Sequence, residues 1–237
     1  MEPDHALQAA VDNLYLSFEA YPLHPDTGAC SCCHNPIEEQ RLHQKPLRKL
    51  TAKDLEKYAF DALLTWGDVE DFKHFLPRIF ELAVLHHDTF IDPQVICAKL
   101  RYGDWRSWPL AEQQSIESFL QVLWNFLLET EPQPATSGWL IEDWLCGFAQ
   151  AGNSPASYLH RLLRAETDNA RLNLAAFIAE TDFTNPIPSD GYWGEVKDFY
   201  GEVVEWVRSD AVKTKVRKIA DDFPQHGFVE QAYISLP

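Results

Sequence analysis

The sequence predicts an all-α fold of antiparallel helix pairs, and three observations carry the prediction. Apolar residues recur at three- and four-residue spacing along nearly the whole chain. Many of these runs open on a helix-start signal, either a short polar cap or a cap followed by proline. Most connectors are short, and no repeated cluster of alternating strand signals is present. Helices joined this way pack as a bundle or as an irregular α-solenoid, and pairs of about 40 residues would resemble HEAT-type stacking. The chain is 46% hydrophobic and 13% aromatic. That is enough apolar surface for one domain over residues 1–237 without staples.

The elements follow in order. Leu7, Val11, Leu14 and Phe18 form a stripe after Asp4, a side chain suited to an N-cap. Residues 21–49, with Pro22, Pro25, Gly28, Pro36 and Pro46, read as a long loop. Thr51 to Asp54 is a capping box with Asp in the usual Glu position, opening a stripe of Leu55, Tyr58, Ala59 and Ala62. Trp66-Gly67-Asp68 ends that helix and starts the next, where Val69, Phe72, Phe75, Leu76, Ile79 and Phe80 keep helical spacing. Pro77 inside this run either kinks the helix or opens a new one. Asp92-Pro93 is a further start, and residues 101–109 form a turn bearing Trp105 and Trp108. Ile116, Phe119, Leu120, Leu123, Trp124 and Leu127 belong to a helix apolar on most faces, hence central in a core.

After a connector at residues 131–137, helices are expected over 138–151, 155–165 and 168–180. A second loop spans 181–191, a long helix begins near Tyr192, and Val212, Val216 and Ile219 mark another. The tail from Gly227 alternates weakly and reads as a lone strand or an extended segment.

Charge narrows the function classes. The net charge is −16, from 36 acids against 20 bases. Such a chain repels phosphate backbones, which argues against nucleic-acid binding, and it suits a basic protein partner. No apolar run is long enough to span a membrane, and residues 1–5 do not open a secretory signal. Five cysteines, three of them within four positions, are no secreted disulfide framework, so a reducing cytoplasm is expected.

That cysteine run is the densest chemistry in the chain: Cys30-Ser31-Cys32-Cys33, then His34. Cys30 and Cys33 stand in C-x-x-C spacing, from which two thiolates of a tight turn reach one tetrahedral zinc ion. No second such pair follows. The expected metal set is therefore Cys30, Cys33 and Cys32 with His34, His43 or His74, and His24, His86 and His87 are further candidates. Small apolar or incidental loop residues are the competing reading. A redox role lacks the strand–helix framework it needs, and no nucleophile signature is present.

Two other constellations carry less. His86-His87-Asp88 contains the dipeptide of HD-type metal phosphohydrolases, with His74 or His43 and Asp143 as conceivable partners and a metal-activated water as nucleophile. Such dipeptides arise by chance in a chain this rich in His and Asp. Asp68, Glu70 and Asp71 crowd a helix start, where the dipole stabilises carboxylates, and this reading is preferred to a metal site there.

Residues 18–81 resemble a group of uncharacterised bacterial proteins. The resemblance is carried by Tyr21-Pro22, the Cys30/Cys33 pair, Pro46-Leu47, Leu50, Leu55, Tyr58, and Thr65-Trp66-Gly67 leading to His74-Phe75-Leu76-Pro77-Arg78. It implies no activity, and it singles out His74 and Arg78. The expectation is a non-enzymatic, acidic, helical protein-interaction module with a zinc-fastened loop near Cys30 to His34, for instance a neutraliser of a basic toxin. The competing class is a metal-dependent hydrolase.

Overall fold

The computed structural model describes residues 3–30, 32, 34–85, 91–183 and 191–235. These residues form thirteen α-helices and two 3-10 turns, and no β-strand is present among them. The chain divides into two compact units, Met1–Leu123 and Trp124–Pro237.

The first unit holds α1 (His5–Ser17), α2 (Pro36–His43), α3 (Ala52–Asp61), α4 (Val69–Leu85), α5 (Pro93–Tyr102) and most of α6 (Leu110–Glu129). The expected caps are in place. Asp4 accepts from the Leu7 amide at 2.7 Å, Asp92 accepts from Gln94 at 2.8 Å, and the Thr51 amide and hydroxyl both donate to Asp54. Helix α4 packs against α1, α3 and α5, and runs through Pro77 as one helix. Its buried face (Phe72, Phe75, Leu76, Ile79, Phe80) meets Tyr58, Trp108 and Phe119. Trp105 and Trp108 are buried here, as core residues.

Residues 21–49 are not wholly a loop. Helix α2 lies within them, opened by a capping box of Asn35 and Glu38 with Pro36 in the first turn. It runs antiparallel to α3, as two ion pairs show: Glu38 to Lys57 at 3.3 Å and Lys45 to Asp54 at 2.6 Å. Only Leu42 of α2 is buried, so no apolar stripe announces the helix.

The second unit holds the end of α6, α7 (Ser137–Gln150), α8 (Ala156–Arg164), α9 (Asp168–Glu180), α10 (Tyr192–Glu195), α11 (Lys197–Arg208), α12 (Asp210–Asp222) and α13 (Gly227–Ser235). Helix α9 is its centre. Every residue from Ala170 to Ile178 is buried, and α7, α8, α12 and α13 pack around it. Two polar devices hold it. Asn173 donates its amide to the carbonyls of Leu127, Leu128 and Thr130, serving the C-terminal end of α6. Glu180 accepts from the amides of Ala135 and Gly138, both at 2.8 Å, serving the start of α7. Gly138 permits this approach, because a Cβ there would stand 2.3 Å from the Ala176 carbonyl oxygen.

Two expectations are corrected in this unit. The tail forms helix α13 against α9 and α12, with Val229 and Ala232 buried, instead of a strand. The helix from Tyr192 is interrupted at Val196, whose φ of −129° and ψ of 39° are not helical.

Candidate functional site

The cysteine turn is tied to the α3–α4 junction by hydrogen bonds. Cys30 donates its amide to the Thr65 carbonyl at 3.0 Å, and His34 donates its amide back to the Cys30 carbonyl at 3.0 Å. The buried His34 ring packs against Trp66 at a tilt of 48° with centroids 4.5 Å apart, and its Nε2 lies 3.0 Å from the Thr65 hydroxyl. Thr27 completes the fastening. Its hydroxyl accepts from the Trp66 indole at 2.7 Å and donates to Glu39 at 2.8 Å.

The six expected ligands are distributed unevenly. Cys30 and Cys32 are neighbours, with sulfurs 2.7 Å apart. His34 is adjacent in sequence, but its ring is engaged with Thr65 and Trp66. His43 is exposed in the last turn of α2. His74 Nδ1 donates to the Tyr21 carbonyl at 2.8 Å. Cys33, and the His86-His87-Asp88 run on which the hydrolase reading turned, lie outside the described residues.

A denser polar cluster stands at the start of α4. Lys73 and Glu112 pair at 2.8 Å with each side chain 7% exposed. The Tyr21 hydroxyl joins them, donating to Glu112 at 2.6 Å and accepting from Lys73 at 2.9 Å. The Lys73 ammonium also lies over the Tyr21 and Trp108 rings, at 4.6 and 4.5 Å. Beside it, burial pushes the His74 pKa down and the nearby His24 and His43 push the same way, against the Tyr21 carbonyl and Asp71. Burial raises the Asp71 carboxyl, and the charge of Asp68 adds to this.

His24 comes within 3.0 Å of Asp71 and 3.8 Å of Glu70. Among the described residues, His24, Asp68 and Asp71 are the one set of three potential ligand atoms lying within 4.8 Å of one another. Sequence reasoning had His24 only as a partner for the cysteines, and it gave the two aspartates to the helix dipole. Nothing in the spacing of a loop histidine and a helix start signals that they meet.

Thr65, Trp66 and His74 thus hold Tyr21, Thr27, Cys30 and His34 against the α3–α4 junction and α4. Arg78 does the same for the segment before α3, donating Nε to the Leu50 carbonyl at 2.7 Å. Compared with protein-family models, with characterised proteins and with solved structures, the chain gives no significant match.

Proposed function

We propose that the protein is a non-enzymatic interaction module that binds a basic protein partner through an acidic helix face. One observation carries the reading. Asp198, Glu202 and Glu205 are exposed on α11 at four- and three-residue spacing, within an arc of about 60°. The opposite face (Tyr200, Val203, Val204, Val207) is buried in the second unit. The helix is therefore anchored on one side and presents carboxylates on the other. Complementary lysines or arginines at helical spacing would meet them, with attraction that speeds encounter and weakens with salt. The net charge of −16 supports a basic protein over nucleic acid. No helix among the described residues is long and apolar enough to cross a membrane.

In this reading a zinc ion at Cys30 and Cys33 would add to a turn already tied by Thr27, His34 and Trp66. Metal analysis of the wild type and of Cys30→Ser/Cys33→Ser tests that part. The partner is tested by affinity capture at low salt with the wild type and with Asp198→Lys/Glu202→Lys/Glu205→Lys as baits. The expected result is a basic protein held by the wild type, released as salt rises and absent from the charge-reversed bait. Equal capture by both baits would refute the assignment.

A further inference from the structure

We propose that His24, Asp68 and Asp71 form a binding site for a divalent first-row transition-metal ion, separate from the cysteine turn. The first support is distance. Ligand atoms about 2.0–2.2 Å from a shared ion stand roughly 3–4 Å from each other. Here the three atoms lie within 4.8 Å, and His24 Nδ1 is 3.0 Å from Asp71 Oδ1.

The second support is that helix capping does not use up these carboxylates. Asp68 Oδ1 accepts from the amides of Glu70 and Asp71, and Asp71 Oδ2 accepts from the Asp68 amide. The start of α4 is thereby satisfied with one oxygen from each residue. Asp71 Oδ1 is left over. It is buried and accepts no hydrogen bond, and His24 Nδ1 lies 3.0 Å from it. Helix capping gives no role to this oxygen or to the imidazole nitrogen against it.

The third support is independent of the cluster itself. Tyr58 is fully buried and its hydroxyl has no hydrogen-bond partner. It faces the same turn: the position of a Cβ on Gly67 lies 3.3 Å from the Tyr58 hydroxyl and 3.2 Å from Asp71 Oδ2. Orphaned buried hydroxyls are rare, and an ion-bound water is a natural partner for one. Gly67, with φ of +71° and Asp71 Cβ 3.0 Å from where its own Cβ would be, keeps this turn closed on the site.

The donor set selects the ion class. One imidazole with two carboxylates suits manganese, iron, cobalt or zinc better than calcium or magnesium, which prefer all-oxygen sites. Three protein ligands leave coordination positions open, unlike a closed four-ligand structural site.

The test is a Co2+ titration of the full chain, as wild type and in a Cys30→Ser/Cys33→Ser background. Cobalt held by nitrogen and oxygen shows weak visible bands, whereas thiolate ligation adds an intense near-ultraviolet charge-transfer band. The expected result is saturation at one equivalent in the Cys30→Ser/Cys33→Ser background, without the thiolate band. His24→Ala in that background, a substitution at a half-buried loop residue, should weaken binding at least ~10-fold with the circular dichroism unchanged. Asp71→Asn, which keeps side-chain size and a capping oxygen, should do the same. Absence of saturable cobalt binding in the Cys30→Ser/Cys33→Ser chain, or unchanged affinity in His24→Ala, overturns the proposal.

Discussion

Replacing Lys73 with Met tests whether the polar cluster at the start of α4 supports the first unit. Methionine keeps the apolar stem against Tyr21 and Trp108 but removes the ammonium, whose partners are Glu112 at 2.8 Å and the Tyr21 hydroxyl at 2.9 Å. Glu112 is then left with a single side-chain donor, the Tyr21 hydroxyl, in a site where it is 7% exposed. Stranding one member of a buried pair costs about 3–5 kcal/mol. With a urea slope of ~1–3 kcal/mol per molar, the midpoint should fall by at least ~1 M. The control is Lys45→Met, which breaks a pair whose lysine is 41% exposed and should cost under ~1 kcal/mol. Adding Glu112→Leu to Lys73→Met should recover much of the loss, since only the Tyr21 hydroxyl then lacks partners, at ~1–3 kcal/mol. Urea denaturation followed by far-ultraviolet circular dichroism reads all four proteins. A loss for Lys73→Met no larger than that for Lys45→Met would refute the reasoning.

Three further outcomes are expected. Gly138→Ala should destabilise the protein by ~1–3 kcal/mol although alanine favours helix, because its Cβ meets the Ala176 carbonyl and the Glu180 cap; an unchanged or raised Tm would be the wrong sign. Asn173→Ala strips a donor from three carbonyls at the end of α6, and should cost at least ~1–3 kcal/mol by chemical denaturation. Glu142 is raised by burial, although Trp193 and Thr181 donate to it. The folded chain therefore keeps this proton to higher pH than the unfolded chain, and wild-type stability falls as pH rises from about 4.3 through the folded value. Glu142→Gln keeps an acceptor for both donors and removes that loss, so its Tm relative to wild type should climb between pH 4 and pH 8; a constant offset would count against it.

Much of the fold was readable because caps and apolar stripes are local. Asp4 and Asp92 start helices where their side chains accept from amides three and two residues on, and Asp54 reaches back to the Thr51 amide. Helix α2 escaped because it buries one residue, so its start signal had no stripe behind it. The tail escaped because α13 is held by contact with α9 and α12, which no nine-residue window reveals. The site divides the same way. Asp68 and Asp71 are legible as a helix start, whereas the arrival of His24 depends on how Thr27, Cys30 and His34 fold back onto Thr65 and Trp66. That folding back is a tertiary event, spelled in the sequence only as scattered Thr, Trp and His.

Helix α9 has a consequence for how the second unit exchanges its amide protons. Because its residues are covered from Ala170 to Ile178 and its polar members reach outward to hold other helices, no small opening can bring water to its backbone. Its central amides should exchange only when the whole unit comes apart. Their rate then measures the free energy of that unit in plain buffer, while exposed stretches such as the acidic face of α11 exchange through local fraying. Tagged with deuterium, α9 is a built-in stability gauge for everything packed around it.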